Sequence, residues 1–175
     1  MILALQVLLL FLITGSIVFY MGCTLCVTWF RASSDESASP NVQIPVSLLI
    51  PVCGLDAGAF ENWSSLCQQE YDNYEVLFGV MNPQDPAVPV LQEVVNQFNC
   101  AQLHFCLEVR GVNHQISNLS HLLEKAQNEI VIFADSDIRV TPDYLKTVTA
   151  PLSNPSVGAV TCAYFDSAPK HLAAA

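Results

Sequence analysis

Two carboxylates stand two residues apart in Ile130-Val-Ile-Phe-Ala-Asp135-Ser136-Asp137. The apolar run ahead of them reads as a buried strand, so Asp135 and Asp137 fall where that strand ends. Two hard oxygen donors at this spacing can hold one Mg²⁺ or Mn²⁺ while substrate phosphates complete the shell. Such a cation neutralises a diphosphate and stabilises it as a leaving group. A turn followed by a helix start uses the same residue types, so the spacing alone leaves both readings open.

Two further segments carry polar groups of the right kind. Asp85 lies in Asn82-Pro83-Gln84-Asp85-Pro86, just past the apolar run 74–80. A carboxylate there can accept from a ribose hydroxyl or a base N–H, although a turn of that composition needs no ligand. In Gly111-Val-Asn113-His114-Gln115-Ile116-Ser117-Asn118-Leu119, the Asn and Ser side chains can cap a helix or face a ligand. His114 has no metal-ligand spacing with His104, His121 or His171, and a surface or cap position suits it equally.

The elements that must position these groups alternate. Short apolar runs at 44–50, 74–80, 103–109, 130–134 and 157–164 read as strands. Helical spacing occupies 59–70, 88–98, 116–127 and 142–152, the last opening on Pro142. Strand–helix alternation predicts an α/β fold with a parallel sheet and right-handed crossovers. Ligands bind such sheets beyond the strand C-termini, where the loops 51–58, 81–86 and 135–139 are expected.

Composition narrows the ligand. The 175 residues carry a net charge of −10, and the six basic residues form no cluster. Nucleic acid is excluded, because it requires a basic stripe. A nucleotide diphosphate would need help from a cation. The seven cysteines are irregularly spaced and read as small buried hydrophobes in a reducing compartment. Cys23-Thr-Leu-Cys26 falls inside an apolar segment, where a zinc or redox site is out of place.

Residues 1–30 contain no charged side chain. As a helix they would extend about 45 Å, enough to cross a bilayer with tilt. No Lys or Arg precedes Arg31, and the apolar stretch is longer than a signal-peptide core, so the segment is expected to stay on the mature chain. Arg31 after the helix places the soluble part on the cytoplasmic side of a single-pass membrane protein. Residues 31–43, small, polar and broken by Pro40, read as a linker.

Together the segments at 46–56, 69–80, 85–87, 116–119 and 135–145 resemble the ceramide glucosyltransferase family, nearest its bacterial relatives, the hopanoid-biosynthesis-associated glycosyltransferases. The resemblance covers about residues 46–164. It implies a Rossmann-like GT-A fold behind a membrane helix, and inverting transfer of a sugar from a nucleotide sugar, a UDP-sugar, to a lipid acceptor such as a ceramide or hopanoid. It implies donor contacts at Pro51, Asp85, Asn118 and Asp135, and a divalent metal at Asp135 and Asp137. Where the family has lysines, this chain has Ile50 and Gln115, and an acidic residue is common at Asn82. Family members continue with a third aspartate, a Gln-x-x-Arg-Trp motif and more membrane helices. The expectation is therefore a donor-binding half at 44–165, an irregular tail at 166–175, and a catalytic base outside these residues. The second reading is a non-catalytic membrane-anchored remnant that at most binds a nucleotide diphosphate with metal.

Overall fold

The computed structural model describes residues 2–33 and 44–162, which belong to two compact units. Most of the expected linker and all of the expected tail lie outside the described residues. The first unit is helix α1 (Ile2–Ser33), which runs three residues past the expected end at residue 30. Within its stretch Ile2–Trp29 an 18-residue window reaches mean hydropathy 2.6, and the stretch is long and apolar enough to cross a membrane. The hydroxyls of Thr14, Thr24 and Thr28 donate to the carbonyls of Leu10, Tyr20 and Leu25, so these polar groups are satisfied within the helix.

The second unit is a four-stranded parallel sheet in the order β3-β2-β1-β4. Its strands are β1 (Val46–Val52), β2 (Tyr74–Val80), β3 (Ala101–Phe105) and β4 (Ile130–Phe133). Helices α2 (Ala59–Cys67), α3 (Val88–Gln97), α4 (His114–Leu123) and α5 (Tyr144–Thr149) connect or follow them. Side chains alternate across β1 and β2, so each face gains its own core. Leu48, Ile50, Val76 and Phe78 pack with Trp63 and Leu66 of α2, Leu91 and Val94 of α3, and Leu145 of α5. Leu49 and Leu77 meet Leu122 of α4 on the other face.

The boundaries differ from expectation for identifiable reasons. β1 continues through Pro51 to Val52, where the sequence suggested a stop. Pro51 is tolerated because β4 pairs with β1 only as far as Leu49, leaving no ladder on that side for its missing N–H. β3 lies at 101–105 rather than 103–109, since β2 ends at Val80 and Cys106 makes the last bond to it, at 2.8 Å. Pro151 replaces the end of the expected 142–152 helix by a 3₁₀ turn (Ala150–Ser153). The expected fifth strand is corrected: residues 157–162 form no strand, and 163–164 lie outside the described residues. Gly158–Cys162 and β4 instead line a cavity of about 600 Å³, so the segment stands off from the edge it would have to pair with. The cysteines of the α/β unit depart in part from expectation: Cys67 and Cys106 are buried and Cys100 is half-buried, but Cys53 and Cys162 are exposed; Cys23 and Cys26 lie on α1, and all seven are free.

One close approach holds α4 on the sheet. Asn118 Nδ2 donates to the Gly79 carbonyl at 2.8 Å. A Cβ on Gly79 would stand 2.1 Å from Asn118 Oδ1 and 2.9 Å from a Leu122 methyl carbon. The buried Oδ1 has no hydrogen-bond partner and rests against the Gly79 Cα–H, a weak donor. Gly79→Ala is therefore expected to destabilise the α/β unit by about 1–3 kcal/mol, as overpacking does. Urea unfolding of the full chain in detergent, followed by Trp63 fluorescence in a Trp29→Phe background, measures it.

Candidate nucleotide and cation site

Because β1, β2 and β4 are parallel, the loops that follow them leave one edge of the sheet. They enclose, with the first turns of α4, a cavity of about 390 Å³. All five residues predicted from the sequence, Pro51, Asp85, Asn118, Asp135 and Asp137, line it. His114 and Gln115 line it too, as do Cys53 and Asp56, which sequence reasoning did not single out.

Asp85 is buried, and its carboxylate is taken up by backbone. The N–H of Gly54 donates to both of its oxygens, at 3.1 and 2.9 Å, and the N–H of Ala87 donates to Oδ1 at 2.9 Å. Gly54 has φ +82°, a conformation that favours glycine. Asp85 thus ties the β1 loop to the start of α3 while still facing the cavity. The 82–86 turn also forms as its composition suggested, with Gln84 N donating to Asn82 Oδ1 at 3.0 Å. Asn113 caps α4 by accepting from Ile116 N at 3.2 Å.

Asp135 and Asp137 are exposed at the rim. Asp135 Oδ1 accepts from Gln115 Nε2 at 3.3 Å, so the glutamine at the family's lysine position offers it a neutral donor. Ile50, the other lysine position, is wholly buried in the core and has no bearing on the charge of the cavity. Four carboxylates line the cavity, those of Asp56, Asp85, Asp135 and Asp137, with no Lys or Arg among the lining residues. A diphosphate entering alone would be repelled.

The Asp loop is held from α2, which sequence reasoning treated only as an apolar face. Trp63 Nε1 donates to the Ser136 carbonyl at 2.9 Å, and Asn62 Nδ2 donates to the Asp137 carbonyl at 3.0 Å. Arg139 Nε donates to Asn62 Oδ1 at 3.1 Å. Further along, Val140 N donates to Ser65 Oγ and Leu145 N to Gln69 Oε1, both at 3.1 Å. The readable signal was a polar stripe, Asn62, Ser65 and Gln69, recurring at helical spacing beside Trp63 and Leu66.

Among the described residues, no group of three or more His, Cys, Asp or Glu side chains can hold a metal ion by itself. The pair Asp135 and Asp137 fits a hard cation that takes one or two carboxylates and draws its other ligands from water and substrate phosphates. Asp143 lies outside the cavity lining. A hydrogen bond from the Thr141 side chain holds its carboxyl below the usual range.

This sheet, with its polar edge, has the fold of GT-A glycosyltransferases. It superposes on the mannosyltransferase PcManGT from Pyrobaculum calidifontis, solved with GDP-Man and Mn²⁺, with a TM-score of 0.63 and 24% identity, covering 82% of this chain and 44% of that one. S. aureus TarS 1–349 in complex with UDP matches with a TM-score of 0.52 and 19% identity, over 63% of this chain and 32% of that one. Among curated relatives, ceramide glucosyltransferase 1 of Caenorhabditis elegans is 27% identical over 130 residues, which is 72% of this chain and 28% of that protein. The ceramide glucosyltransferase of Gibberella zeae is 27% identical over 131 residues, 68% of this chain and 25% of that protein. Residues 8–175 match the model of Glycosyl transferase family 21, and the chain belongs to that family. It spans about a quarter of the length of these curated relatives.

Asp85 and Asp135, which both line the cavity, have different mechanical duties. Asp85→Ala leaves the Gly54 and Ala87 N–H groups without acceptors and is expected to cost about 1–3 kcal/mol. Asp135→Ala, on an exposed residue with one side-chain contact, is expected to change stability by less than about 0.5 kcal/mol. Urea unfolding of both variants in detergent measures the contrast.

Proposed function

We propose that the chain is the donor-binding part of a membrane-anchored hexosyltransferase that uses a nucleotide sugar and a lipid acceptor. The observation that carries this reading is the convergence of Pro51, Asp85, Asn118, Asp135 and Asp137 on one cavity at the C-terminal edge of a parallel sheet. In this reading Asp135 and Asp137 hold a divalent cation, Mn²⁺ or Mg²⁺. When bound, the cation supplies the positive charge that four cavity carboxylates deny to a diphosphate. Asp85 keeps the Gly54 loop in place for the nucleotide, and Pro51 and Asn118 form the wall beside it. Gln115 orients Asp135 by its amide.

The family resemblance supports a UDP-sugar donor, inverting transfer, and a ceramide or hopanoid acceptor. PcManGT, solved with GDP-Man and Mn²⁺, and TarS, solved with UDP, support a nucleotide sugar with a divalent metal. In this reading α1 anchors the chain and the α/β unit faces the cytoplasm. We assign the base that deprotonates the acceptor hydroxyl to none of the described residues. No Asp or Glu occurs between Tyr144 and Cys162, and the cavity carboxylates serve the cation and the loops. In this reading the described residues bind donor without supplying that base, and Asp166 lies outside them.

Titration of the full chain in detergent with UDP, followed by calorimetry, tests the reading. Binding is expected with Mn²⁺ present, and is expected to be lost with EDTA or in the Asp135→Ala, Asp137→Ala double variant. UDP binding that persists equally in EDTA would contradict the cation-dependent site, and sugar transfer by an Asp166→Ala variant of the 175 residues would contradict the assignment of the base outside the described residues.

A further inference from the structure

We propose that Asn62 is a positioning residue for the cation site, acting through the backbone of Asp137. This rests on the reading of Asp135 and Asp137 as the cation ligands. Asn62 is buried on α2, and its amide is engaged on both sides: Nδ2 donates to the Asp137 carbonyl at 3.0 Å and Oδ1 accepts from Arg139 Nε at 3.1 Å. The amide can sit only this way round. A guanidinium N–H only donates and a carbonyl only accepts, so a flipped amide would lose both bonds.

The adjacent residue does the same for the adjacent carbonyl. Trp63, also buried, donates its indole N–H to the Ser136 carbonyl at 2.9 Å. Upstream, Ala134 N donates to the Leu49 carbonyl at 3.2 Å, which ties the start of the loop to β1. The peptides on both sides of the Asp135–Asp137 pair are therefore fixed to core elements, although the two carboxylates themselves are exposed. Asn62 sets where the Asp137 side chain begins, and hence how far it stands from Asp135. Arg139 locks the Asn62 amide from outside. Nothing in this arrangement needs Asn62 to touch the cation or substrate. Outer partners that hydrogen-bond a metal-ligating side chain are worth about 10–100-fold in metal affinity, and Asn62 acts on the backbone that carries such a side chain.

Two substitutions separate positioning from charge, because electrostatics and geometry predict opposite signs. Asn62→Asp keeps the size and the acceptor for Arg139 but loses the donor to Asp137. The added negative charge alone would tighten a cation. Arg139→Met, at an exposed position that folding tolerates, removes a positive charge near the site and alone would also tighten it. Positioning predicts weaker binding in both, by about 10-fold in Asn62→Asp.

The measurement is Mn²⁺ binding to the full chain in detergent, read by electron paramagnetic resonance with Mn²⁺ alone as the probe. The Asp135→Ala, Asp137→Ala double variant is the reference. Weaker binding in Asn62→Asp and Arg139→Met, with the wild type saturating and the double variant silent, supports the proposal. Unchanged or tighter binding in both overturns it while leaving the cation site intact. Equal binding by wild type and double variant overturns the cation assignment itself, and the role of Asn62 with it.

Discussion

Every other feature of the α/β unit follows from the parallel placement of β1 between β2 and β4. Val46–Val52 is paired along its whole length with β2, and its first four residues are also paired with β4. Parallel pairing sends the chain out of all three strands at one edge. Apolar side chains on both faces of β1 need cover on both sides, which α2 and α3 provide on one and α4 on the other. The unequal lengths matter as much as the direction. β4 ends opposite Leu49 while β1 runs three residues further, so the Asp loop departs early and the cavity opens beside Pro51.

A loop at the end of a short edge strand needs more than that strand to hold it. β4 has four residues and one neighbouring strand. Backbone carbonyls that turn away from the sheet must still find donors. Trp63 and Asn62 meet that need from α2, and Ser65 and Gln69 continue the contact toward α5. α2 thus serves two functions at once. Trp63 and Leu66 fill the larger core, and the polar groups between and beside them carry the Asp loop. This coupling places exposed carboxylates on a rigid support, which is what a small, hard cation with strict geometry demands.

The order of apolar runs and polar breaks made the α/β class, the sheet edge and the loops of Asp85, Asp135 and Asp137 legible from the sequence, whereas Pro51 and Asn118 were singled out only by the family resemblance. Local pattern says which segments are apolar, but pairing decides which become strands. Residues 157–162 have the composition of a strand and form none, and Leu107 and Val109 stay exposed because β2 has already ended. Polar residues inside apolar patterns were the other blind spot. Glu75, within an apolar strand run, is buried and accepts from Ser47 Oγ at 2.6 Å and Gln127 N at 2.7 Å. Asn62 was hidden in the same way. Such roles depend on partners about 30 to 80 residues away in sequence, which spacing alone cannot reveal.

We propose that loops from β1, β2 and β4 form one site for a cation and a nucleotide diphosphate. The most direct test is paramagnetic relaxation of backbone amide signals by Mn²⁺ in the presence of UDP, on the isotope-labelled full chain in micelles. Selective broadening of Gly54, Asn82, Gln115 and Asp135–Asp137 is expected, with Glu75, Asn128 and Val160, at the opposite end or outer edge of the sheet, unaffected. Broadening centred on those latter residues, or spread evenly over the unit, would contradict it.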